Sequence, residues 1–301
     1  MRIHLANIEE YLTTHENRQI ENGKSGAEVW ETEGRHVLKH VQKEKLPDQG
    51  VFSLYQNEAY FYQFIQHNSH ADMLSCLPEV LDVQVSDHEI LILMKKYQEL
   101  SRDEADEELL QKIMRVLAMI HTQDIPDFLR QEQKEPEYFD KAQIESCLAG
   151  WRSVLAEHPG EFDDGILTEA AAKVNEIIRW HHGEERVLSH GDFHWDNLLK
   201  KENGDIVVCD WQGVGMGGAS GDISFFLSRL GADGVNIEQE KVIELYCRER
   251  FLLTGKNISP KELRKHMNAA NLIVSFQFWH EYLHESTCER VRGIYEKMVM
   301  D

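Results

Sequence analysis

The chain has 301 residues, 42% hydrophobic and 28% charged, which is enough for a sizeable core and two lobes. Its 32 basic and 53 acidic residues give a net charge of −21, which argues against nucleic acid and anionic membranes as partners and favours cationic ligands. No apolar run reaches the roughly 18 residues of a membrane helix, the N-terminal stretch has no signal-like segment, and five scattered cysteines without a Cys-x-x-Cys pair argue against a disulfide framework, so the expected location is the cytoplasm.

Residues 3–12 read as a short helix, followed by a possible strand near 18–22. The stretches 27–32 and 36–41 alternate apolar and polar residues around Glu33-Gly34-Arg35, the pattern of a β-hairpin. Residues 53–67 have helical periodicity, and "EVLDVQVS" and "EILILMK" read as two further strands. Beyond residue 97 the texture changes. Residues 106–123, 141–156 and 166–182 read as helices, and 186–213 as strand, loop, short strand, turn, strand and loop. From Gly221 onward the chain reads as helical, most clearly over 237–254 and 260–285. The expected architecture is α+β and two-lobed, with an antiparallel sheet and one main helix in residues 1–97 and a mostly helical lobe in 98–301. The acidity is concentrated in the second part, with 38 acidic and 23 basic residues.

"LSHGDFHWDNLLK" at 188–200 places His190, Asp192 and Asn197 in one tight loop. "IVVCD" ends at Asp210, and a hairpin turning at 202–205 would bring both segments to the same end. Two carboxylates and an amide oxygen around one point suit Mg²⁺, with one carboxylate left to orient and deprotonate a hydroxyl. His121 and His194 read as local hydrogen-bonding residues.

This set resembles the H-G-D-x-x-x-x-N motif and following strand aspartate of the aminoglycoside phosphotransferase and choline kinase family, relatives of the protein kinases. The resemblance spans roughly residues 20–230 and is closest in motif to the aminoglycoside phosphotransferases. It implies Asp192 as catalytic base, Asn197 and Asp210 as Mg²⁺ ligands and His190 as a loop-shaping residue. It further implies Ser25, in "NGKSGAEVW", as the phosphate-loop serine, Lys39 as the phosphate lysine and Glu58 as its helix partner. Met94 would line the adenine slot, and Asp222 would cap a helix and brace the catalytic loop. Lys24, Lys43 and Lys45 compete with Lys39, which is favoured because it sits within an apolar alternation where an unpaired lysine is costly. Glu58 by itself reads as a solvated helix residue. The implied activity is transfer of the γ-phosphate of ATP or GTP to a hydroxyl of a small cationic molecule, with aminoglycoside antibiotics as the first class. Choline, homoserine and methylthioribose stay open as acceptors. Gln212 departs from the acidic residue many relatives carry after the aromatic.

A competing motif is His280-Glu281-x-x-His284, a literal H-E-x-x-H on an expected helix, which would make a zinc hydrolase. No histidine follows among residues 285–301 to complete a zinc site, and a partly exposed helix face explains the pattern equally well. Within the kinase reading, Glu281 and Glu285, one turn apart, are candidates for binding a cationic substrate.

Overall fold

The computed structural model describes residues 7–20, 26–46, 48, 50–67, 75–130, 136–232, 234–235 and 237–299. The chain divides into two compact units. The first comprises Met1–Arg130, Val187–Gly217 and Asp222–Asn257; the second comprises Gln131–Arg186, Gly218–Gly221 and Ile258–Asp301.

The first unit opens with helix α1 (Ile8–Thr14) and a five-stranded antiparallel sheet. Its strands are β1 (Asn17–Ile20), β2 (Glu28–Thr32), β3 (His36–Gln42), β4 (Val80–Val85) and β5 (Glu89–Lys95), in the spatial order β1-β2-β3-β5-β4. The expected hairpin is β2–β3, with Gly34 at φ +67 in its turn. Side chains alternate across β3, so its two faces carry different cargo. Leu38 joins Leu91, Leu93, Ile8 and Tyr11 in an apolar cluster on the α1 side. Lys39 turns the other way, to helix α2 (Val51–His67). Both faces of β5 are covered, which is why "ILILM" reads as an unbroken apolar run rather than an alternation.

Helix α3 (Glu107–His121) is capped by Asp106, whose carboxylate accepts from Leu109 N. It packs on α7 (Gln239–Thr254). A small sheet pairs β6 (Gln98–Glu99), β8 (Leu198–Lys200) and β9 (Ile206–Val208). The β8–β9 hairpin pairs Leu198 with Val208 and closes through Gly204 at φ +85. It therefore sets Asn197 beside Cys209, as the spacing predicts; Cys209 N donates to Asn197 O at 2.9 Å. Strands β7 (Arg186–Ser189) and β10 (Gly215–Gly218) pair on either side of it in sequence. Helix α6 (Ala219–Ala232) follows β10.

The second unit is built from α4 (Lys141–Ala156), α5 (Asp164–His182), α8 (Pro260–Phe278) and α9 (Cys288–Tyr295). Its core contains Trp151, Leu167, Val174, Leu272, Phe276 and Tyr295. The buried Trp151 indole satisfies its N–H on the Ser275 and Phe276 carbonyls. The helix expected over 260–285 is shorter. It ends at Phe278 and passes into a 3-10 turn at Trp279–Glu281. Burial of Leu283 and His280 redirects the chain, and Glu285 takes a left-handed φ of 59, with its N–H held by the Glu157 carboxylate. No helix among the described residues is long and apolar enough to cross a membrane.

Candidate active site

Lys39 lies on the middle strand of the large sheet, paired in register with Val29 on β2 and Ile92 on β5. Its Nζ donates to Glu58 Oε2 at 2.7 Å and to Asp210 Oδ1 at 2.6 Å, and stands 4.8 Å from the centre of the Tyr55 ring. Burial alone would pull the Lys39 pKa down, but the two carboxylates overcome it and hold the ammonium firmly charged. Burial likewise works against the Asp210 charge, and Lys39 more than offsets it, so this carboxyl titrates below its usual range. Burial pushes the Glu58 carboxyl up, further than Lys39 pulls it back. Glu58 is fully buried, not the solvated helix residue its local sequence suggests. The competing lysines go elsewhere: Lys45 pairs with Glu28, and Lys43 sits over the Phe52 ring. Lys24 and Ser25 lie outside the described residues.

The loop after β7 is held from two sides. Asp222, in the first turn of α6, accepts from Ser189 Oγ, His190 N and Gly191 N at 2.9–3.0 Å. The His121 ring completes its shell at 3.0 Å through Nε2, while Nδ1 contacts the Tyr246 hydroxyl. Asp222 thus ties Ser189, His190 and Gly191 to α6 from within the helix's first turn rather than from its cap position. Glu184 serves that end instead, accepting from Ser220 N. His190 is fully buried, and burial lowers its pKa, so the ring is neutral. It donates Nε2–H to the Cys209 carbonyl at 3.0 Å and accepts from Asp192 N through Nδ1. Gly191 has φ +77, and a Cβ there would overlap the Gly213 carbonyl oxygen.

Asn197 ends a 3-10 turn (Trp195–Asn197) anchored by the Trp195 indole on the Leu100 carbonyl. Its amide Nδ2 donates to Asp192 O at 2.9 Å and Asp192 Oδ2 at 3.2 Å. This orientation reserves the amide oxygen for another partner, and Asp192 Oδ1 takes no part in these contacts. His194 Nε2 lies 3.5 Å from Asp192 Oδ2. Asp210 has φ 62 and ψ 63, a left-handed conformation that costs a non-glycine residue on the order of 1 kcal/mol or more. The backbone strain swings its carboxylate from the end of β9 to Lys39. Cys209, the residue before Asp210, is inert, its thiol pushed up to about 12 by burial and then by Asp210. Met94 is buried on β5, on the same face as Lys39.

Lys39, Glu58 and Asp210 form one ion-paired group in which a single ammonium faces two carboxylates. The donors Asn197 Oδ1 and the Asp210 carboxylate are hard oxygens, the chemistry Mg²⁺ prefers. The residues fit that ion. A cavity of about 860 Å³ in the same unit, lined by Arg35, Tyr62, Lys95, Lys96 and Lys200, includes none of these groups.

A family model described as the phosphotransferase enzyme family matches residues 18–255. The chain belongs to this family. Aminoglycoside phosphotransferase APH(2'')-Ib in its ADP-bound form is 15% identical with a TM-score of 0.56, over 99% of this chain and 100% of that one. Amicoumacin kinase hAmiN in complex with AMP-PNP, Ca²⁺ and Ami is 12% identical with a TM-score of 0.56, over 93% of this chain and 87% of that one. An ethanolamine kinase of Plasmodium vivax is 11% identical with a TM-score of 0.57, over 97% and 82%. No curated protein matches the chain by sequence. These structural likenesses show that the phosphotransferase has the α+β, kinase-like fold its motifs imply.

The H-E-x-x-H reading fails on geometry. His280 is buried in a 3-10 turn, His284 binds the Glu157 carboxylate at 2.7 Å, and helix α8 has already ended, so the two rings do not share a helical face. Glu281 and Glu285 lose their shared face for the same reason, and both are exposed. Sequence reasoning missed Trp211, whose ring stacks on Phe61 at 4.5 Å and whose backbone N–H donates to Glu58. Its only signal was an aromatic directly after the strand aspartate.

Proposed function

We propose that this phosphotransferase is a Mg²⁺-dependent kinase that transfers the γ-phosphoryl group of ATP or GTP to a hydroxyl of an aminoglycoside antibiotic, and so confers resistance in the cytoplasm. Residues 1–97 serve as the nucleotide-binding lobe and 98–301 as the catalytic and substrate lobe. The observation that carries the reading is one lysine clamped between a helix glutamate and the strand aspartate, in the same unit as a braced Asp192–Asn197 pair.

Asn197 and Asp210 would hold Mg²⁺, which supplies charge neutralisation on the phosphates. Lys39 binds the phosphates and Glu58 keeps its ammonium aimed. By the motif resemblance alone, Ser25 would serve the phosphates, and Met94 would line the adenine slot. Asp192 orients the acceptor hydroxyl and takes its proton as the oxygen–phosphorus bond forms and the bond to the diphosphate leaving group breaks. The acidity of residues 98–301 supports a polycationic acceptor held by charge-assisted hydrogen bonds. Gln212 favours a second reading, a smaller acceptor such as choline, homoserine or methylthioribose, because the acidic residue common after the aromatic is replaced.

The test is Mg²⁺-dependent turnover of ATP and of GTP against a panel of aminoglycosides, choline, homoserine and methylthioribose, with Asp192→Ala alongside. Aminoglycoside-dependent turnover that falls by about 10²-fold or more in Asp192→Ala, with nucleotide binding retained, is the expected result. Turnover only with a metabolite selects the second reading. Full activity in Asp192→Ala removes the assigned base.

A further inference from the structure

The second unit brings together three side chains that no catalytic role uses. His181 lies in the last turn of α5, Glu184 follows two residues after its end, and His266 lies on α8. One donor atom from each falls within 4.8 Å of the others.

The spacing of the two rings is informative. His181 Nδ1 and His266 Nδ1 are 3.4 Å apart. Two imidazoles bound to one tetrahedral zinc, each at roughly 2.0–2.1 Å, have nitrogens about 3.4 Å apart. Without an ion, only one proton fits between the facing nitrogens. Burial is the leading cause that lowers the pKa of both histidines, so their lone pairs are available near neutrality.

The surroundings hold the donors in place. Ser220 N donates to Glu184 Oε1 at 2.9 Å and Ser220 Oγ to Oε2 at 2.6 Å. The oriented Oε2 stands 4.0 Å from His181 Nδ1. The Trp180 ring stacks on His266, with centres 4.0 Å apart and planes 10° apart, which fixes the imidazole plane. The Glu184 side chain is 9% exposed and that of His181 27%, so an ion can enter past His181 and meet a shielded carboxylate. Such outer contacts are what orient the ligands of protein metal sites.

We propose that His181, His266 and Glu184 bind one divalent transition-metal ion of the zinc type, which staples α5 to α8. Three protein donors leave a fourth position for water. Two imidazoles and one carboxylate favour zinc, copper or nickel over magnesium, so this ion is chemically distinct from a phosphate-bound Mg²⁺.

The experiment uses the full chain stripped of metal with chelator, then titrated with Zn²⁺ in excess Mg²⁺. The wild type is expected to take up one Zn²⁺ per chain and to melt at a higher temperature when loaded. His181→Gln and His266→Gln are expected to weaken uptake by at least about tenfold. His284→Gln, outside the cluster, is expected to leave uptake unchanged. Absence of stoichiometric Zn²⁺ in the wild type, or uptake unchanged in both cluster variants, overturns the proposal. X-ray absorption of the Co²⁺-loaded wild type decides the matter even where a variant does not fold. Two imidazole nitrogens in the shell are expected, and an all-oxygen shell overturns the site.

Discussion

Lys39 and Asp210 are 171 positions apart in the chain, yet Lys39 Nζ donates to Asp210 Oδ1 at 2.6 Å. The same ammonium donates to Glu58 at 2.7 Å. One cation therefore ties the middle of the large sheet, helix α2 and the end of the β8–β9 hairpin into a single electrostatic unit.

Lys39→Met leaves Glu58 fully buried and without its counter-charge. Breaking a buried pair from one side costs about 3–5 kcal/mol. We expect a clear drop in chemical denaturation midpoint together with loss of nucleotide affinity. The double variant Lys39→Met with Glu58→Gln recovers much of the stability and none of the nucleotide affinity. Equal destabilisation by the single and double variants would contradict the pairing.

Gly191→Ala places a side chain at φ +77 and against the Gly213 carbonyl. The backbone strain is of order 1–3 kcal/mol, and the collision adds to it. The expected result is a lower melting temperature and a fall in kcat that exceeds any change in nucleotide affinity. Gly204→Ala is the control, because its turn at φ +85 has open space around the new methyl group. It should destabilise modestly and leave kcat intact.

Asp222→Ala removes the acceptor for Ser189 Oγ, His190 N, Gly191 N and the His121 ring. Each buried donor left unpaired costs about 1–3 kcal/mol. We expect poor folding or a strongly lowered melting temperature. Asp222→Asn retains one acceptor oxygen and should fall between. Wild-type stability in Asp222→Ala, measured by calorimetry, would refute the bracing role.

His190 makes stability depend on acidity. Burial lowers its folded pKa below the ordinary 6.5, so the unfolded chain binds the proton more readily. Its contribution is present above pH 6.5 and is lost as the pH falls below that value towards the folded pKa. Burial leads the same direction of shift at His36, His181, His266 and His280. Urea midpoints should therefore fall between pH 7 and pH 5. The slope should be shallower in His190→Gln, which keeps a donor for the Cys209 carbonyl. An unchanged slope would show that folding does not shift the His190 pKa.

The sequence by itself determined the local elements and the chemistry of the loop. Period-two alternation marked β2 and β3, and helical periodicity marked α2 and α3, because each pattern follows from which side of a single element is buried. The H-G-D-x-x-x-x-N spacing determined the Asp192–Asn197 contact, since five residues of one tight loop cannot place them far apart. Only the tertiary structure decided which glutamate caps α6, where α8 stops and which histidines meet. Glu184 reaches Ser220 across 36 positions. The α8 helix stops at Phe278 because burying His280 and Leu283 outweighs continuing a regular helix. His280 and His284, four apart, therefore separate, while His181 and His266, 85 apart, come within 3.4 Å. Spacing along a chain governs proximity only while one element continues; beyond it, burial of apolar surface selects the neighbours.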